Sequence, residues 1–171
     1  LLCPTTLSQS VVEMRSAIVL DEADIGLEGV ALSPDTQTIL AHGANSSIFL
    51  IDANNPENNS RLEQGGDYTL HAASYHPGGQ TAMLVGEDGA VLRLIMANLT
   101  IQEAGRSSIF GGTDLKAVSW NSDGSWAYVG GEDGWIWRVR SMGQSGIEAF
   151  ALENRGGSDI SAISCLRGSN I

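Results

Sequence analysis

Two carboxylate pairs are the residues of this chain best placed to do chemistry. Glu87-Asp88 and Glu132-Asp133 stand 45 residues apart, each pair flanked by Gly on both sides. Adjacent carboxylates can hold a divalent cation through oxygen ligands, or receive Lys and Arg side chains from a partner. The same residues also have a structural use, because Asp-Gly between apolar runs is a strong short-range hairpin signal. Beyond them the inventory is thin. No GxSxG, HExxH, CxxC or P-loop pattern occurs. The histidines are His42, His71 and His76, and the cysteines are Cys3 and Cys165. No catalytic or metal-ligating residue is assigned, no cofactor is expected, and a non-enzymatic protein is favoured.

What positions the carboxylates is a repeat. Leu32, Tyr75, Trp120 and Cys165 align at offsets of 43, 45 and 45 residues, and the copies Leu27 to Asp52, Leu70 to Ile95 and Leu115 to Arg140 superpose without a gap. A fourth copy begins at Ile160 and runs to Ile171. Each long copy carries three strand signals separated by turn signals. The first strand is Leu27 to Leu32, Leu70 to Tyr75, Leu115 to Trp120 and Ile160 to Cys165, with small residues in its middle. Small side chains let neighbouring backbones approach closely, which suits an innermost strand. Turns at Ser33-Pro34-Asp35, His76-Pro77-Gly78-Gly79 and Asn121-Ser122-Asp123-Gly124 come next. The second strand is Thr38 to Ala41, Thr81 to Val85 and Trp126 to Gly130; the third is Ile48 to Asp52, Ala90 to Ile95 and Trp135 to Val139. A fourth, outer strand is expected near Tyr68, over Ile101 to Phe110 and over Ile147 to Leu152, with Val11 to Leu20 as the outer strand ahead of the first copy; Val11, Met14 and Ile18 also fit a helical period, and the strand is favoured because the repeat requires one there.

Three to four strands per period of this length, with Ser33-Pro34-Asp35, Asn121-Ser122-Asp123-Gly124 and Gly131-Glu132-Asp133-Gly134 as turns, resembles the WD40-like family of β-propellers. The resemblance covers about residues 27 to 171. It departs from the family at the end of the third strand, where Ile51-Asp52, Leu94-Ile95 and Val139-Arg140 replace Trp-Asp, and before the first strand, where Gly-His is missing. The fold expected is therefore all-β, with propeller blades of four-stranded antiparallel sheets and about three and a half blades. The chain divides into a leading strand (11–26), blades at 27–69, 70–114 and 115–159, and the start of another at 160–171. Propellers use four to eight blades. Part of a larger ring is thus expected ahead of a closed four-bladed monomer whose terminal strands share the last blade; the third option is a homo-oligomer in which another copy completes the ring.

The resemblance implies a protein-interaction scaffold. The alternatives are a propeller enzyme or small-ligand receptor with its site in the axial funnel, and an exported or surface module using the sequons at Asn45, Asn58 and Asn98. In a propeller the second-to-third-strand hairpins share a face with the starts of the inner strands. That places Glu28, His71, Glu87, Asp88, Lys116, Glu132 and Asp133 on one rim, a candidate surface for a basic protein partner. Trp135 and Trp137 fall on one side of their strand, either packed between blades or exposed as an aromatic contact. The three histidines fall at three different repeat positions and form no ligand set.

Composition narrows the partners. Twenty acidic and 9 basic residues give a net charge of −11. No Lys/Arg cluster exists to track phosphates, so a nucleic-acid partner is not expected. No apolar run is long enough to span a membrane. A soluble protein is expected, cytoplasmic rather than exported, although two cysteines leave the redox compartment open.

Overall fold

The computed structural model describes residues 26–62, 64–105, 107–141, 146–154 and 156–165. They form three four-stranded antiparallel sheets, so the chain is all-β and blade-like. The first sheet runs in the order β1 (Leu27–Leu32), β2 (Thr38–Gly43), β3 (Ile48–Asp52), β4 (Asn59–Leu62). The second holds β5 (Leu70–Tyr75), β6 (Thr81–Gly86), β7 (Val91–Ile95) and β8 (Thr100–Gly105). The third holds β9 (Leu115–Trp120), β10 (Ala127–Gly131), β11 (Trp135–Ser141) and β12 (Ile147–Asn154). Each is a simple up-and-down meander with its repeat-initial strand at one edge.

The sheets pack face to face in chain order. Leu40, Ile48 and Leu50 of the first meet Leu70, Tyr75, Leu84, Leu92 and Leu94 of the second. Met83, Val85 and Val91 on the opposite face of the second meet Leu115, Trp120, Val129, Trp137 and Val139 of the third. The middle strands β6 and β7 are thus buried on both faces, which is why they read as nearly unbroken apolar runs rather than as alternating ones. Each fully buried Leu contributes on the order of 2 kcal/mol. Among the described residues one charged side chain enters this core. Arg93 is buried and donates to Gln102 in its own sheet and to Ser141 in the third.

The hairpins after the second strands result from their sequences. Asp88 (φ 53°) and Gly89 (φ 69°) form a type I′ turn closed by the Ala90 N–H donating to the Glu87 carbonyl at 2.9 Å. Asp133 (φ 53°) and Gly134 (φ 78°) repeat it, and Asn45 and Ser46 adopt the same left-handed pair in the first copy. Gly, Asp and Asn tolerate positive φ best. The Gly that ends each second strand answers a different need. A Cβ on Gly43 would stand 1.9 Å from the Gly26 carbonyl oxygen, and one on Gly86 would stand 2.1 Å from that of Thr69. The chain entering the inner strand crosses there, and only Gly admits it.

Three sequence expectations change. The first outer strand is β4, Asn59–Leu62, not the region of Tyr68. Asp52 accepts hydrogen bonds from the Asn54 and Asn55 N–H groups, turning the chain back early so that β4 pairs with β3. Tyr68 instead gives its carbonyl to the Ser46 N–H at 2.8 Å. The second outer strand stops at Gly105, and Ser107–Phe110 forms one helical turn, α1, that sets Phe110 edge-on to Trp137 at 5.3 Å. Ile160 to Cys165 forms no strand. The Ile160 N–H donates to the Gly131 carbonyl at 2.9 Å and the Cys165 N–H to Ser119 Oγ at 3.1 Å, so the segment lies against the third sheet. A ladder needs a neighbouring strand, and among the described residues none stands beside it. The leading strand expected at Val11 to Leu20 lies outside the described residues, as does Cys3.

Candidate functional site

Two surfaces lie at opposite ends of the inner strands. The first is the hairpin rim, built by β1, β5 and β9 where they begin and by the turns that close β2, β6 and β10. Its carboxylates divide into two kinds. Glu87 accepts the Thr69 N–H at 2.7 Å, and Glu132 accepts the Asp114 N–H at 3.4 Å, so each caps the start of its own inner strand. The returning N–H groups of Glu87 and Glu132 donate to the Thr69 and Asp114 carbonyls at 3.0 and 3.1 Å. Asp88 and Asp133, at the turn tips, keep their side chains exposed.

Asp114 and Asp159 tie the second and third sheets to the chain segments that succeed them. The Asp88 N–H donates to Asp114 Oδ1 at 2.9 Å, and the Asp133 N–H donates to Asp159 Oδ1 at 3.3 Å. Both acceptors occupy the position immediately before an inner-strand Leu or Ile of the repeat. Sequence reasoning passed over them, although the recurrence of Asp at that register, in Asp114-Leu115 and Asp159-Ile160, was visible.

Lys116 stands among three carboxylates: Glu132 at 3.6 Å, Asp159 at 3.8 Å and Asp114 at 3.9 Å. The rim around the third sheet therefore supplies its own counter-charge. One sheet earlier, His71 occupies the register of Lys116, between Glu87 and Asp114 in the equivalent places. Its Nε2 is buried and, among the described residues, has no hydrogen-bond partner. Glu28 is exposed at the start of β1. On the neighbouring strand β2 lies His42, fully buried, with Nδ1 donating to the Leu70 carbonyl of the next sheet at 2.8 Å. Burial holds the His42 pKa below the usual histidine value; its bond to Leu70 and the Glu28 charge act against that, and His71 acts with it. The rim residues Glu28, His71, Glu87, Asp88, Lys116, Glu132 and Asp133 thus all lie at strand starts and hairpins. Trp135 and Trp137 do not join them. They stack at 5.6 Å on the face turned to the second sheet, where Trp137 is core.

The second surface is a cleft at the far end of the inner strands, of about 460 Å³, walled by Ser74, Tyr75, Ser119, Trp120, Asn121 and Cys165 among others. The turns at that end are tied by hydrogen bonds of their own. Ser33 Oγ donates to Asp35 at 2.6 Å, and Ser125 Oγ donates to Asp123 at 2.6 Å. These serine hydrogen bonds, with backbone N–H donors, hold both carboxyls below the usual Asp range. His76 joins the second and third sheets. Its Nδ1 accepts the Gly78 N–H at 3.0 Å, so Nε2 carries the proton given to the Gly124 carbonyl at 3.1 Å. Its ring meets Trp120 edge-on at 4.9 Å.

No protein-family model matches this chain, and no curated protein matches it. Among the described residues no helix is long and apolar enough to cross a membrane.

Proposed function

We propose that this protein is a WD40-like propeller segment that works without catalysis, as a protein-interaction scaffold receiving a basic segment of its partner on the hairpin rim. The observation that carries the proposal is Lys116. A lysine ammonium held within 4.0 Å of Asp114, Glu132 and Asp159 is a worked example of the rim geometry accepting a cation. By the repeat, the second sheet has His71 at the register of Lys116, with Glu87 and Asp114 standing where Glu132 and Asp159 stand in the third. The exposed Asp88 and Asp133 extend the field to either side, and the net charge of −11 steers a basic segment toward it.

The test is the binding of a fluorescent Lys-rich peptide to the protein and to its Asp88→Lys, Asp133→Lys variant. Neither substituted side chain caps a strand, but both stand at φ 53°, which suits Asn better than Lys, so Asp88→Asn, Asp133→Asn replaces the variant should circular dichroism show that it has lost the fold. Affinity is expected to fall at least tenfold in the variant, and to weaken with salt in the unaltered protein. Equal binding by the two proteins removes the rim from the proposal.

A second copy of the chain is a further partner that one observation favours. Leu27, Val30 and Leu32 on β1 are 46, 69 and 52 % exposed, whereas Leu70, Tyr75, Leu115 and Trp120 at matching positions are buried. A ring completed by a second copy covers that stripe, and the mass of the protein in solution tests it.

A further inference from the structure

The cleft opposite the rim takes no part in the scaffold reading, and its chemistry is of another kind. Its walls are written by the repeat. Ser74 and Ser119 hold one register in neighbouring copies, and Tyr75, Trp120 and Cys165 hold the next. Pro77 and Ser122 complete it from the two turns. Among the described residues no Asp, Glu, Lys, Arg or His lines it. Tyr75 stays a neutral phenol across the physiological range, its pKa pushed up to about 12 by burial and, secondarily, by the Asp35 charge. Within hydrogen-bond range among the described residues, the Ser74 and Ser122 hydroxyls have no partner. Ser119 Oγ accepts one hydrogen bond, from the Cys165 N–H, and keeps its own proton to give.

These features select a ligand by exclusion. A charged molecule would lose its hydration against walls that offer no counter-charge. A purely aliphatic one would cover the serine hydroxyls and leave them unsatisfied. A molecule rich in hydroxyl groups both donates and accepts, as serine does, and its C–H face suits the apolar surface of Pro77 and Trp120. The volume of about 460 Å³ lies within the range of small-molecule sites.

We propose that this cleft is a binding site for a neutral polyhydroxylated small molecule, with the chemistry of a sugar ring. The serines hold the hydroxyls, and Pro77 with Trp120 forms the apolar wall.

The experiment is a titration of the whole chain, monitored by two-dimensional NMR, with neutral methyl glycosides, a uronic acid, and a Gly-Ser-Pro peptide. A methyl glycoside is expected to shift the amide signals of Ser74 and Ser119 to Ser122 saturably, with Kd below about 10 mM. Ser122→Leu, at an exposed turn position, is expected to weaken that binding at least tenfold, and Thr100→Ala on an outer strand to leave it unchanged. Should Ser122→Leu lose its dispersed spectrum, Ser74→Val replaces it, with the same loss expected. No saturable shift with any glycoside overturns the proposal. So does a uronic acid binding as tightly as its neutral counterpart, a peptide binding where glycosides do not, or shifts mapping away from the cleft.

Discussion

His42 shows how one residue can serve a junction rather than a site. Its imidazole is buried between the first two sheets, and Gly29 makes room for it: a Cβ there would stand 3.0 Å from Nε2. Desolvation dominates its titration and favours the neutral ring, with Glu28 opposing and His71 assisting. The folded state therefore binds the His42 proton less tightly than the unfolded chain does. The stability this contributes is complete above the unfolded pKa of about 6.5 and is lost as pH falls below it. The unfolding free energy read from urea titrations is expected to fall as pH drops below about 6.5, by about 1.4 kcal/mol for each unit separating the two pKa values. His42→Gln removes that part of the slope; an unaltered slope in the variant assigns the titration elsewhere. None of this was legible in the sequence. His42 aligns with Val85 and Gly130, so the repeat marked its place as apolar and gave no sign of the Leu70 carbonyl it would meet. The carboxylates were half legible. Asp88-Gly89 and Asp133-Gly134 were readable as turns, whereas the capping of Thr69 by Glu87 depends on a contact across 18 positions.

At the scale of elements, the hairpin tip and the strand start form one joint. Each tip gives its Asp N–H to the acid that begins the next unit, while the Glu before that Asp gives its own N–H to the carbonyl that begins its own unit. Asp114 belongs to both sides, since its carboxylate also faces Lys116. Asp114→Ala is expected to speed hydrogen exchange of the Asp88 amide by roughly tenfold, matching the loss of a charge-assisted bond worth about 1.5 kcal/mol. Exchange at Met83 and Leu84 is expected to stay nearly unchanged. An Asp88 amide that exchanges at its original rate shows that the bond does not hold the joint. The strands themselves were legible where both period and apolarity recur, as in β1, β5 and β9, whose bounds match the sequence expectation residue for residue. The outer strands were not. Asn59–Leu62 is polar and sits at an exposed edge, so neither alternation nor burial marked it; the Asx turn on Asp52 placed it.

Across the whole molecule the three sheets are unequal partners. The middle one packs against a neighbour on each face, and its Leu84, Val85, Val91 and Leu92 are completely buried. The first sheet leaves Leu27, Val30 and Leu32 of β1 exposed, an apolar stripe that a lone protein seldom keeps in water. If a second copy covers it, sedimentation at rising concentration gives a mass above that of one 18.0 kDa chain, and Val30→Glu returns it to the single-chain value. A single-chain mass for the unaltered protein at every concentration sinks the second-copy reading. The repeat disclosed this inequality only in part. It predicted matching positions in every copy, and those positions differ in exposure because the neighbours of each copy differ. The Asp joint has a consequence for how such a chain lengthens. Both halves of it are spelled within a single period: the donor tip at Asp133 and, at the far end of the same segment, the acceptor at Asp159. A tandem duplication of residues 115–159 would therefore arrive with its docking chemistry already written, since the new Asp114 equivalent is Asp159 itself. Growth by copying requires no new interface to be invented, only one more of the interface already there.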